Sequence, residues 1–440
     1  MIGVIGMIAA ITLLIVTTYK GMNGLIASLL CSIVVIATNG MNFWETFRNV
    51  FGSTVGSVFA SYFFFYCTAS CFGELMKQSG AAVTVSNALF NLLGPKLCVP
   101  AALLVTFLLA YSGINAFVIV FIVFPLMVPM FERANVSKIL MPAIFLFGSV
   151  VMNVTAPGSP SALMMALSNQ LGTNSFSSPV LAVICLVIAF GFGFAYFSYR
   201  QYALAKAGVG FVPTGDDLKL ISGEESGREL PPLWSSIIPI ATVIILKFVL
   251  TGLMPTANDV LCTSILAGCA AVVIFNYKFM KGHILQDFTT GWWSSMNALV
   301  LMVGMMGFAS VVNNAPGFVY FQNFAESMSG KLSPYLSAVV VTNIFSGITG
   351  ASLNGTQIFC QTMADSYMAW GCDAGALQKV VSIASMGLDT LPHCPTYIMM
   401  AAVIGVSTKE AYKDVCVTTV IFPIVLSTIA ALLATIGIVF

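Results

Sequence analysis

Asp389 and His393 stand four residues apart in the stretch Met386-Gly387-Leu388-Asp389-Thr390-Leu391-Pro392-His393-Cys394-Pro395-Thr396, with apolar sequence on either side. A carboxylate and an imidazole can take up and release a proton, and ionisable groups at membrane depth are rare and mark ion or substrate paths. Asp389 with His393 is therefore the candidate proton-coupling pair. The competing reading is a structural bond, Asp to His or Asp to backbone, that holds the segment in shape. Pro392 and Pro395 remove backbone donors and clash with a continuing helix, so the helix must break here. Broken backbone inside a bilayer is tolerated only where it is buried in protein or lines a wet cavity.

The rest of the chain defines the setting. Of 440 residues, 58% are hydrophobic and 8% charged, with a mean hydropathy of +0.97. A soluble domain carries roughly 25% charged residues, so the composition predicts an all-α polytopic membrane protein whose constant partner is lipid. The net charge of +1 and the lack of a basic patch give no reason to expect nucleic acid. Eleven cysteines sit mostly inside apolar runs and read as packed thiols; with only His283 and His393 to join them, no metal site or other cofactor is expected. No His-Glu-x-x-His or Gly-x-Gly-Asp pattern occurs, so an intramembrane enzyme is not expected.

About 20 apolar residues are needed to span a bilayer. Candidate spans fall near 2–18, 22–39, 53–76, 138–170 and 177–198, then near 233–253, 257–276, 291–313, 376–404 and 411–438. The N-terminal run lacks the basic start and cleavage pattern of a signal peptide and reads as a retained first span. An amphipathic stretch follows Ser79. Two apolar pairs, about 98–131 and 332–368, are interrupted by polar residues and read as re-entrant hairpins. The charged segment 199–232 reads as a water-exposed linker. Glu74 with Lys77 reads as an interfacial pair, and Trp292-Trp293 as a membrane anchor.

The second half repeats the first. Pro157 and Pro160 return as Pro392 and Pro395, both at an offset of 235 (392 − 157, 395 − 160), as do Met164-Met165 at Met399-Met400. Thr155 matches Thr390, Ser161 matches Thr396, and Ser112-Gly113 returns as Ser346-Gly347. The predicted organisation is repeat 1 over 1–198, the linker 199–232, and repeat 2 over 233–440. Each repeat would hold about five transmembrane helices, a re-entrant hairpin and a broken helix, 138–170 and 376–404 being the broken ones. Paired interrupted segments of this kind point to a transporter's midplane site. Asp389 has no counterpart carboxylate, since Val154 stands at its place.

The basic residues set an orientation. With the N-terminus outside, Lys20, Lys77, Lys96, Arg133, Lys138, Arg200, Lys206, Lys219, Arg228, Lys278, Lys281, Lys409 and Lys413 fall on cytoplasmic loops. Arg48, Lys331 and Lys379 fall outside and Lys247 within a span. The two repeats are then inverted, the linker is cytoplasmic, the C-terminus is outside, and the expected location is the inner (plasma) membrane.

Three stretches resemble the gluconate permease family of the ion transporter superfamily: Phe72-Gly73-Glu74-Leu75-Met76-Lys77-Gln78-Ser79-Gly80-Ala81-Ala82, Gly113-Ile114-Asn115-Ala116-Phe117 and Gly387-Leu388-Asp389-Thr390-Leu391-Pro392-His393. The likeness runs over nearly the whole chain and is nearer the hydroxybutyrate-type permeases. His393-Cys394-Pro395 stands where the gluconate permeases proper carry Pro-His-Asn-Gly. The resemblance implies an elevator-type homodimer, with a scaffold and a moving transport domain, carrying organic anions by proton or sodium symport.

A carboxylate substrate needs positive potential, yet the sequence places no arginine or lysine near the breaks. Half-helix N-termini would supply it through free amides and the macrodipole. The expected substrate-binding groups are Ser112, Asn115, Ser346, Thr349, Ser352, Asn354 and Thr356 from the hairpins, and Asn153, Thr155, Ser159, Ser161, Thr390, His393 and Thr396 from the broken helices. For each Ser, Thr or Asn the alternative is a helix cap. The expected cargo is a short hydroxy-monocarboxylate such as 3-hydroxybutyrate or gluconate, coupled to protons, with sodium coupling and an anion channel as alternatives.

Overall fold

The computed structural model describes residues 2–20, 22–111, 116–159, 161–214, 217, 229–250, 253–254, 257–320, 323, 327 and 332–439. Long apolar runs without proline pairs satisfy their own backbone only as helices in lipid, and among the described residues there are helices and no strand. Six of these helices are long and apolar enough to cross a membrane.

In chain order the first half holds α1 (Ile2–Tyr19), α2 (Gly24–Thr38), α3 (Phe43–Gln78), α4 (Ala81–Leu93), α5 (Cys98–Tyr111), α6 (Ala116–Arg133), α7 (Lys138–Thr155), α8 (Ala162–Leu171) and α9 (Pro179–Lys206). The second half holds α10 (Leu233–Leu250), α11 (Ala257–Met280), α12 (Ile284–Asn313), α13 (Pro334–Thr349), α14 (Ser352–Thr362), α15 (Ala364–Ala369), α16 (Ala374–Ala384), α17 (Pro395–Ile404) and α18 (Thr408–Thr435). Helix starts recur: Cys98 to Pro334, Ala116 to Ser352 and Lys138 to Ala374 are each 236 residues (334 − 98, 352 − 116, 374 − 138).

Packing sorts the helices into two groups. In the first, α3 lies along α12 and α11, α10 pairs with α11, and α2 joins α1 to α12. The second is built on the hairpins and broken helices. The first arm of each hairpin packs on the first segment of its own half's broken helix, α5 on α7 and α13 on α16. The second arm crosses over, α6 to α17 and α14 to α8. Each break is thus enclosed by elements of both halves. Burial follows this order: 89% of α7's apolar window is inside the protein against 22% of α10's, which turns Ile237, Ile245 and Phe248 outward.

The groups meet where α3 lies on α6 and α12 on α17. Pro125 sits inside α6 and cannot donate to the Phe121 carbonyl one turn back. Gly73 of α3 covers that carbonyl; a Cβ there would lie 2.4 Å from its oxygen.

Two boundaries differ from the sequence expectation. α3 begins at Phe43 rather than near 53, carried back by a π-helical stretch over Phe47–Gly52. The segment expected to be a water-exposed linker from 199 is helical to Lys206, and its Asp217 is buried. The cause is Lys138, also buried, whose ammonium donates to the Asp217 carboxylate, to Thr214 and, at 3.0 Å, to the Ile404 carbonyl ending α17. A buried ammonium is stabilised by a counter-charge, and here the linker supplies one. Lys77 pairs with Glu74 at 3.3 Å. All eleven cysteines are free thiols, mostly buried.

Candidate functional site

The second break is a run of turns and bends from Ser385 to His393 between α16 and α17. Because this run is not helical, four-residue spacing does not put Asp389 against His393, and the two do not bond to each other. Asp389 is buried and accepts from Thr390 Oγ1 at 2.6 Å. The hydroxyl and backbone N–H of Ser352 face the same carboxylate. Ser352 is the first residue of α14, so the carboxylate lies at the N-terminus of the hairpin's second arm, where the macrodipole favours an anion.

His393 is 2% exposed, and neither ring nitrogen has a well-formed hydrogen bond. Its ring lies on the hairpin tip: Gly350 has φ +62°, and a Cβ there would meet Cδ2 at 2.8 Å and Nε2 at 2.9 Å. Ser346 Oγ and Asn343 Oδ1 on α13 are likewise buried without a partner. Both lie in tight contact with neighbouring glycines, since a Cβ on Gly355 would stand 2.1 Å from Ser346 Oγ and one on Gly387 2.1 Å from Asn343 Oδ1. The hairpin tip and the break are therefore pressed together around unsatisfied polar atoms.

The other predicted groups divide by where their protons go. Thr155 Oγ1 donates to the Val151 and Met152 carbonyls at 2.9 Å, Thr349 Oγ1 to Phe345 at 3.0 Å, and Thr356 Oγ1 to Leu353 at 2.8 Å. Hydroxyls so committed can accept but not donate; this is back-bonding within each residue's own helix and not an N-cap. In the first break Ser159 Oγ lies 3.4 Å from Asn153 Oδ1 and 3.2 Å from Ser161 Oγ. Ser161 accepts from the Met164 N–H at 3.3 Å as N-cap of α8, leaving its own proton available. Asn354 is half-buried on the first turn of α14, and Thr396 half-buried on that of α17. Ser112 and Asn115 lie outside the described residues. The segment leading into the first break, Phe147–Met152, is π-helical, a widening found frequently at functional sites.

One expectation is overturned. Lys379 is not on an outer loop but inside α16 and fully buried, and it does lie at a break. Its Nζ donates to the carbonyls of Val154 at 3.4 Å and Ala156 at 3.3 Å, the end of α7. Hydropathy alone could not place it, because its partners are 225 and 223 residues away. Asn343 was also missed, although Asn343, Ser346 and Gly350 recur at helical spacing within an apolar run, a polar stripe that can be read from sequence.

The architecture and the enclosed polar breaks define a polytopic membrane protein with a candidate binding site buried between its halves. The chain is similar to the "Uncharacterized transporter YxjC" of Bacillus subtilis (strain 168), at 23% identity over 451 residues that take in 94% of each chain. No protein-family model matches the chain.

Proposed function

We propose that the protein is a secondary active transporter importing a small organic anion, a short hydroxy-monocarboxylate such as 3-hydroxybutyrate or gluconate, with protons. The observation that carries this reading is the set of buried polar atoms without a well-formed hydrogen bond at the hairpin tip and second break: Asn343 Oδ1, Ser346 Oγ, His393 Nδ1 and His393 Nε2, with the Gly347 backbone beside the imidazole. Each unsatisfied buried polar atom costs about 1–3 kcal/mol, a burden a fold carries where a ligand or water relieves it. Ser346 and a neutral imidazole offer donors for a carboxylate, and Asn343 offers an acceptor for a hydroxyl. The likeness to a transporter and the resemblance to the gluconate permease family support the same class.

Coupling follows from the Asp389 contacts. The ionised carboxylate attracts Ser352 and the N-terminus of α14; a proton on it weakens that attraction and frees the hairpin tip. Release of the tip by protonation, and its recapture afterwards, would open and close the site in step with proton movement. The two packing groups would serve as scaffold and transport domain of an elevator-type homodimer in the plasma membrane, N-terminus outside. A second reading, sodium coupling, is favoured by the hydroxyls of Thr390 and Ser352 beside the Asp389 carboxylate.

Uptake of labelled 3-hydroxybutyrate into proteoliposomes under a pH gradient, acid outside, tests the reading. Asp389→Asn should lose gradient-driven accumulation and keep substrate exchange. Full pH-driven accumulation by the variant would remove the proton role, and accumulation by the wild type only under a sodium gradient would select the second reading.

A further inference from the structure

We propose that Lys379 is a tethered cation, its ammonium filling a carbonyl-lined cation site at the first break. The site is the open C-terminal end of α7, where the carbonyls of Val154 and Ala156 converge on Nζ at 3.4 and 3.3 Å. Helix carbonyls left without donors carry the negative end of the macrodipole. In transporters with broken helices, such half-helix ends coordinate the coupling cation. Here a side chain from the other half of the protein does so instead. Lys379 is 0% exposed, and among the described residues no carboxylate lies within ion-pair distance of it. A buried ammonium without a carboxylate is expensive; its retention beside two carbonyls is what replacement of an ion would look like.

The neighbouring chemistry sharpens the assignment. Lys379 and Asp389 lie ten positions apart (389 − 379), yet they serve opposite breaks: the ammonium holds the first, and the carboxylate lies at the hairpin's second arm at the second. Neither has a charged counterpart at the offset of 235, which points to Ile144 and Val154. With the first cation site permanently filled, only the second remains for a diffusible ion. This consequence, one coupling cation per cycle, rests on the transporter reading. The filled site itself does not.

The test is therefore run without substrate. Thermal unfolding of purified wild type, Lys379→Ala and Lys379→Gln is followed in choline chloride, sodium chloride and methylammonium chloride at equal ionic strength, with Lys379→Arg as the charge-retaining control. A neutral variant should show a midpoint that rises with sodium or methylammonium relative to choline, or should fold only in their presence. The wild type and Lys379→Arg should respond less than the neutral variants, by no more than the second site contributes. Neutral variants that fold without any cation-specific shift, or that fail to fold in every salt, overturn the assignment, as does an equal shift in the wild type. A separate failure of Asp389→Asn to alter pH-driven uptake would leave this result untouched.

Discussion

At the residue scale the candidate site is best understood by following protons rather than residue types. Thr155, Thr349 and Thr356 carry the hydroxyls a sequence reading selects, but their protons go to carbonyls of their own helices. Ser346, chosen on the same grounds, is left without a well-formed bond, as is His393, chosen for its proton chemistry. Local back-bonding of this kind depends on rotamers and is invisible in sequence. Gly350 offers a clean probe of the contact between His393 and the hairpin tip. Its φ of +62° is the left-handed region, which costs a residue with a Cβ about 1–2 kcal/mol, and the new methyl would also displace the imidazole. Gly350→Ala is expected to lower the thermal midpoint and to weaken substrate-dependent stabilisation more than Gly172→Ala, whose glycine is also left-handed but has open space beside it. Equal loss of ligand response in both variants would show that the His393 contact is not special.

At the element scale, proline placement makes the breaks legible and burial hides the clamps. Pro392 and Pro395 announce the interruption between α16 and α17, and the offset to Pro157 announces its counterpart. Lys138 and Lys379 mislead for one reason. A lysine near the edge of an apolar run reads as a loop residue, whereas both are buried, held by partners remote in sequence. The Lys138–Asp217 pair ties the segment after α9 to the ends of α7 and α17. Removing one partner of a buried pair leaves an uncompensated charge, at a cost of about 3–5 kcal/mol. Lys138→Met should therefore lower the unfolding midpoint and speed tryptic cleavage after Lys206, which is already exposed at the end of α9. The double variant Lys138→Met with Asp217→Leu should recover much of the loss. No recovery would mean that the pair is not what holds the segment.

At the scale of the whole molecule, the helix order and the crossing of each hairpin's second arm to the other half enclose both breaks. Composition and hydropathy were enough to read an all-helical membrane protein, because lipid leaves the backbone so few alternatives. The division into two packing groups was not legible, since it depends on contacts such as Gly73 over the Phe121 carbonyl rather than on apolar length. The central claim is that anion and proton move together through this enclosure. Its most direct measurement is internal pH in proteoliposomes loaded with a trapped pH-sensitive dye, after addition of outside 3-hydroxybutyrate or gluconate with no sodium present. The account predicts internal acidification that saturates with substrate and is absent in Asp389→Asn. Substrate entry without any change of internal pH would contradict it.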